Sequence, residues 1–167
     1  MKKQALAILL GIIIGILFMR ACNGYAQEIS FRVDMSNALR GSDVNPPAFN
    51  WKVGISDYYN GTYTRLGMEY ESFGYLNYQQ WTFMKIDQEF PINDNLSVLG
   101  GVGVSQIYRK TKYAINGTIT YAFNLELSKR LSNGFGVSIQ AERERATDVS
   151  QMWRDSLYFG IIYRFNE

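Results

Sequence analysis

An all-β fold, eight antiparallel strands running up and down and closing into a barrel, is predicted by three observations. Apolar side chains recur at every second position over eight separate segments, the period of a strand with two unlike faces. The connections between those segments alternate between compact runs of turn formers and longer stretches. Beyond residue 26 no segment carries a helical period, and 12 Tyr, 10 Phe and 3 Trp beside only 3 Pro lean toward strand.

Residues 1–26 read differently. Lys2 and Lys3 precede the apolar run Ala5 to Met19, and Arg20 precedes a small-residue stretch ending Gly24-Tyr25-Ala26. That layout predicts a secretory signal peptide over 1–26, cleaved after Ala26, ahead of a barrel domain over 27–167. A retained anchor helix would need about 20 apolar residues, and Arg20 interrupts this run first. Cys22 follows Met19-Arg20-Ala21, a poor approach to a lipidated cysteine because of the arginine. Cleavage removes Lys2, Lys3 and Arg20, so 17 basic residues become 14 against 15 acidic ones and the net charge moves from +2 to −1. No nucleic-acid partner is expected at that balance. The single cysteine leaves too, and with it any disulfide or thiolate chemistry.

The strands are justified in chain order. Glu28–Met35 places Ile29, Phe31, Val33 and Met35 opposite Glu28, Ser30, Arg32 and Asp34. Asn50–Asp57 carries Trp51 and Lys52 near its start. Tyr63–Ser72 sets Leu66, Met68 and Tyr70 against Arg65, Gly67, Glu69 and Glu71, and Trp81–Phe90 sets Met84 and Ile86 against Lys85, Asp87 and Glu89. Leu96–Gln106 holds Gly101 and Gly103 on its non-apolar face. Thr118–Leu127 opposes Ile119, Tyr121, Phe123, Leu125 and Leu127 to Thr118, Thr120, Ala122, Asn124 and Glu126. Phe135–Glu144 alternates from Phe135 to Ala141, with Gly136, Glu142 and Glu144 on the other face. Ser156–Phe165 opposes Leu157, Phe159, Ile161, Tyr163 and Phe165 to Tyr158, Gly160, Ile162 and Arg164. The compact connections are Tyr58–Thr62, Pro91–Asn95 and Ser128–Gly134 with its Asn133-Gly134 pair, all rich in turn formers. The longer ones are Ser36–Phe49, Phe73–Gln80, Ile107–Gly117 and Arg145–Asp155. Asn116-Gly117 is open to a second reading as a hairpin turn.

Period two does not say which face meets water. Four features do. The non-apolar face mixes charges with Gly67, Gly101, Gly103, Ala122, Gly136 and Gly160, and small residues suit a narrow, filled lumen. Strands of about 8 to 11 residues match a tilted bilayer crossing. Tyr59, Phe90, Phe135, Tyr163 and Phe165 gather toward the compact turns, and Trp51, Tyr70, Phe73, Trp81 and Tyr108 toward the longer loops, as two aromatic girdles should. Short turns at one end with long loops at the other follow periplasmic and extracellular asymmetry. The polar face is therefore expected inside and the apolar face in lipid.

On this strand count, the hairpins FPINDNLSVLGGVGV and LSKRLSNGFGVSIQAE and the final strand LYFGIIYRF resemble the small eight-stranded outer-membrane β-barrels of the OmpX and OmpA transmembrane-domain type. The resemblance covers the whole of 27–167 and implies a monomer in a bacterial outer membrane. Its partners would be outer-membrane lipid and, through four extracellular loops, lipopolysaccharide or another external ligand.

Chemistry is constrained by a strong negative: the chain has no histidine. Serine triads, histidine zinc sites and histidine bases cannot be built. Barrel enzymes of similar architecture, the lipid A deacylase, palmitoyl transferase, phospholipase and omptin types, use a catalytic histidine, so none of their activities carries over. No catalytic residue, cofactor or metal site is expected. Glu69 with Glu71, Asp87 with Glu89 and Glu142 with Glu144 each share a strand face, and a glycosidase-like acid and nucleophile is one reading. The stronger reading is a structural lumenal charge network of Glu28, Arg32, Asp34, Lys52, Arg65, Glu69, Glu71, Lys85, Asp87, Glu89, Glu126, Glu142, Glu144 and Arg164, because buried charges must be paired. Gly100 to Ser105, GGVGVS, lies inside a strand with no following helix and is not a phosphate loop. Arg109, Lys110 and Lys112 form a basic loop at the expected outer end; a solvated loop is the stronger reading, and contact with lipid phosphates is the alternative. The function expected is a non-enzymatic outer-membrane barrel with a filled lumen and an adhesive, receptor-like or structural outer surface. The alternative from another class is a secreted soluble barrel binding a small apolar ligand, as lipocalins do; their Gly-x-Trp signature is absent, since Phe49-Asn50-Trp51 lacks the glycine.

Overall fold

The computed structural model describes residues 27–36, 50–59, 62–73, 78–110, 115–147 and 153–165. Residues 1–26, expected as a signal peptide, lie outside them. Eight strands follow in order: β1 Gln27–Asp34, β2 Asn50–Tyr58, β3 Thr64–Phe73, β4 Tyr78–Asn93, β5 Leu96–Lys110, β6 Ile115–Ser132, β7 Phe135–Ala146 and β8 Trp153–Arg164. Each pairs antiparallel with its neighbour, and β1 pairs with β8, so the sheet closes into a barrel. Closure satisfies every strand edge, which an open sheet in lipid could not do.

The barrel is inside out relative to a soluble protein. Its interior is lined by Glu28, Arg32, Lys52, Arg65, Glu71, Asp87 and Glu126, all essentially inaccessible, while Phe31, Leu66, Met68, Val102, Phe123, Leu125, Ile139, Phe159 and Ile161 stand exposed on the outside. No helix among the described residues is long and apolar enough to cross a membrane. Phe31, Trp51, Tyr70 and Trp81 run in contact across β1 to β4 near the long-loop end, with centroids 6.4, 5.6 and 4.8 Å apart. Phe135, Tyr163 and Phe165 make the corresponding cluster at the short-turn end. These are the two interfacial girdles of a transmembrane barrel.

Several strands are longer than the sequence period predicts. The compact connections Pro91–Asn95 and Ser128–Gly134 contract to the two-residue turns Asp94-Asn95 and Asn133-Gly134, because the hairpins keep pairing past the girdle. Asn133 and Gly134 both take positive φ, 49° and 79°, the pair of left-handed residues that matches hairpin twist. Pro91 is accommodated where the β4–β5 register slips between Pro91 and Asn93, an irregularity that tolerates its missing donor. At the other end Asn116-Gly117 is not a turn: both residues pair with β5, opposite Arg109 and Tyr108. The stretch expected as a basic loop is therefore corrected in part. Arg109 and Lys110 end β5, and Lys112 lies outside the described residues. A bulge in β4 lets Phe83 and Met84 both face outward, which shifts the period so that Gln80 and Thr82 join Lys85 and Asp87 inside.

Candidate functional site

The only concentrated polar chemistry in the described residues lies inside the barrel, in two linked clusters. Toward the short-turn end, Arg65 on β3 is the hub. Its Nη1 donates to Glu28 at 2.8 Å, its Nη2 to Asp87 and Glu126 at 2.7 Å each, and its Nε to Asp87 at 3.0 Å. Arg32 on β1 crosses to Glu126 on β6, a fork at 3.0 and 3.1 Å, and reaches Glu69 at 3.1 Å. Lys85 donates to Glu69 at 2.7 Å. Gly160 on β8 makes room for this crossing: a Cβ there would stand 2.5 Å from Cγ of Arg32 and 3.0 Å from the Phe31 carbonyl oxygen. At the seam, Glu28 and Arg164 are directly opposed, and Arg164 Nε donates to Glu28 at 2.9 Å. Arg164 also donates to the Tyr58 hydroxyl at 2.6 Å and lies 3.7 Å from Glu89.

Toward the long-loop end, Lys52 donates to both oxygens of Glu142 at 3.0 Å, lies 4.2 Å above the Tyr158 ring, and links the clusters through Glu69 at 3.6 Å. Arg154 sits near the long-loop end of the lumen between Glu71 at 2.8 Å, Glu144 at 3.1 Å and Glu142 at 3.7 Å. Tyr158 donates its hydroxyl to Glu71 at 2.7 Å, and Glu144 also accepts from Thr120 and Gln80.

The structure brings together thirteen of the residues read as lumenal charges. Asp34 stands apart: its carboxylate accepts from Asn50 Nδ2 at 3.3 Å and the Ser36 amide at 2.8 Å and pairs with no cation among the described residues. Arg154 lies outside the sequence-predicted charge set, because the period-two pattern starts the last strand at Ser156. The signal was there: carrying the even-numbered face of Arg164, Ile162, Gly160, Tyr158 and Ser156 one step further reaches Arg154.

This arrangement pairs charge and leaves little space. A buried carboxylate or guanidinium is tolerated only with partners in good geometry, and these span opposite walls. The cavity between Ser30, Arg32, Gly54, Arg65, Glu69 and Asp87 amounts to about 10 Å³, room for roughly one water. Glu69 and Asp87, which line that cavity, thus have no space for a sugar ring there. Protein reconstituted into a planar bilayer is expected to show no sustained large current; a stable porin-like conductance would contradict a filled lumen.

No family model matches the sequence, and comparison with characterised proteins finds no match. Solved structures share the fold. Outer membrane protein H (OprH) from P. aeruginosa aligns at TM-score 0.63 and 15% identity, over 85% of this chain and 100% of that one. A de novo designed transmembrane β-barrel aligns at 0.59 and 10%, over 84% and 95%. The Yersinia pestis outer membrane protein Ail in a phospholipid nanodisc aligns at 0.56 and 13%, over 85% and 100%, and Ail in complex with the heparin analogue sucrose octasulfate at 0.52 and 11%, over 84% and 99%. The outer membrane enzyme PagL aligns at 0.50 and 13%, over 84% and 99%. The chain has the fold of the small eight-stranded outer-membrane barrels.

Proposed function

We propose that this chain is a non-enzymatic protein of a Gram-negative-type outer membrane, exported by a signal peptide cleaved after Ala26, whose sealed barrel holds four outward loops as an adhesive, receptor-like or structural surface. The observation that carries the reading is the combination of a lumen closed by paired charges with an apolar exterior bounded by two aromatic girdles. In this reading the lumen offers no passage, and the working surface is the outer end. The fold neighbours are bacterial outer-membrane proteins, and Ail bound to a heparin analogue supports a polyanionic external ligand as one class for the loops. The basic stretch Arg109-Lys110-Thr111-Lys112, expected from the sequence at that end, would supply cations for such a ligand or for lipopolysaccharide phosphates. PagL is an enzyme on the same fold; the absence of any histidine from this chain supports the non-enzymatic reading. The barrel works as a monomer in this proposal.

The test is location and orientation in one experiment. In a Cys22→Ser background expressed in a Gram-negative host, cysteine is placed at Asp148 or at Asn133, and intact cells are treated with a membrane-impermeant maleimide. The protein is expected in the detergent-soluble outer-membrane fraction, with Asp148→Cys labelled and Asn133→Cys protected. Recovery from the aqueous periplasm would overturn the proposal in favour of the soluble ligand-binding barrel.

A further inference from the structure

The short-turn end of the barrel is uneven. β3 pairs with β4 only as far as Thr64 and Gln88, closed by the Glu89 amide donating to the Tyr63 carbonyl at 2.7 Å. β4 continues to Asn93 paired with β5 alone, and β6 likewise continues to Ser132 before β7 returns from Phe135. Leu96 of β5 stands opposite Lys129 of β6, and the Arg130 amide donates to the Asn95 carbonyl at 2.7 Å. The two hairpin tips are thereby joined. They run past Phe90 on β4 and Phe135 on β7, aromatic residues of the kind that mark a membrane interface.

The outward face of this projection stays apolar beyond those aromatics. Ile92 follows Phe90 in the period of β4, and Leu131 follows Leu127 and Lys129 in the period of β6; the two apolar side chains are 60% and 59% exposed. Lys129 stands exposed, with Leu96 and Val137 as its neighbours in register, and pairs with no carboxylate among the described residues. On the β2–β3 side the outward residues at this end are polar. Asp57 is opposite Leu66, and the Thr64 hydroxyl donates to Gln88 at 3.0 Å. An exposed apolar patch set around a cation marks a contact surface.

We propose that the joined tips of the β4–β5 and β6–β7 hairpins are a contact surface for the phospholipid leaflet that receives the short turns. Ile92 and Leu131 lie where acyl chains meet headgroups, and Lys129 meets a lipid phosphate. The occupant follows from continuity: the face that carries Ile92 and Leu131 extends the wall of Ile86, Phe90, Leu125 and Leu127, which meets lipid in the reading above. Charge agrees with it, since a lysine among apolar side chains lays its stem along them and presents its ammonium at the polar boundary. The barrel stands with this side deeper than the β2–β3 side. The proposal rests on the membrane-spanning reading and adds a contact at one end of it.

The test uses the full chain in a Cys22→Ser background, with one nitroxide-labelled cysteine at Ile92, Leu131, Thr62 or Leu125, folded into dioleoyl phosphatidylcholine vesicles. Collisions of the label with lipid-soluble oxygen and with a water-soluble nickel chelate report its depth. Ile92→Cys and Leu131→Cys are expected to collide mainly with oxygen, and Thr62→Cys, in the β2–β3 turn, mainly with nickel. Adding Lys129→Glu should shift the Ile92 and Leu131 labels toward nickel, whereas Lys129→Arg should leave them unmoved. Nickel collisions as frequent at Ile92 and Leu131 as at Thr62, or labels indifferent to Lys129→Glu, would overturn the proposal. Labels at Ile92 and Leu131 shielded from both reagents, and uncovered when the protein is diluted in lipid, would overturn it in favour of a second copy of the chain. The Leu125 label separates this proposal from its premise: it should meet oxygen alone in every case, and nickel at Leu125 would count against the membrane-spanning reading itself.

Discussion

Replacing Glu126 with alanine is expected to cost about 3–5 kcal/mol of folding stability, the range for removing one partner from a buried ion pair. Glu126 is fully inaccessible and accepts from both Arg32 and Arg65, which project from β1 and β3 across the lumen to β6. Its removal leaves two guanidinium groups sharing fewer carboxylates with almost no space for water to enter. A urea titration of barrel folded in lipid vesicles, followed by tryptophan fluorescence, reads the loss as a lower midpoint at unchanged slope. Changing a whole pair should hurt less than orphaning half of it: Lys52→Met with Glu142→Leu should destabilise less than Lys52→Met alone. If Glu126→Ala costs no more than a surface substitution, the lumenal contacts are not what holds the walls together.

Arginine on the outer wall is expected to be the second most costly change. Ile161 and Leu125 are 52% and 59% exposed on the outward face of β8 and β6, midway between the girdles. In water such exposure would make them tolerant sites. In a bilayer, Ile161→Arg or Leu125→Arg should cost about 2–4 kcal/mol, as arginine does near the midplane of a barrel. Ser132→Arg, exposed beside the Asn133-Gly134 turn, should stay within about 0.5 kcal/mol, the usual range for surface changes. The same urea titration separates the cases. Equal tolerance at Ile161 and Ser132 would mean that the apolar face does not meet lipid.

Much of this was legible in the sequence because a strand repeats every two residues, so one correctly phased residue phases its whole strand. Arg32, Arg65 and Glu126 fell on the inner face for that reason, and the opposition of Glu28 to Arg164 followed from an even number of strands whose ends meet. Partner choice was not legible. Nothing in spacing says that Arg65 would reach Glu28, Asp87 and Glu126 together, since that depends on side chains meeting across a lumen from three strands far apart in sequence. Strand ends were misjudged where turn-forming residues were read as turns. Pro91 and Asn116-Gly117 have turn chemistry, yet the pairing on either side continues through them, because ladder hydrogen bonds across a long hairpin outweigh local preference. The β4 bulge could not be read at all, and it is what turns Gln80 inward.

The claim on which the rest depends is closure, because an open sheet could neither sit in lipid nor seal its charges. In a Cys22→Ser background, cysteines are introduced at Ser30 and Ile162, directly opposed across the β1–β8 seam, or at Val33 and Phe159, three rungs further along. Rungs an odd number apart alternate between the two antiparallel pair geometries, so one of the two has the closer Cα approach of about 4.5 Å, within disulfide reach. Ser128 and Ser138, opposed across the β6–β7 hairpin, provide the control. After oxidation of the folded protein, at least one seam pair is expected to form an intramolecular disulfide alongside the control, seen as a shift in gel mobility reversed by reductant. A control that crosslinks while neither seam pair does would contradict the closed barrel.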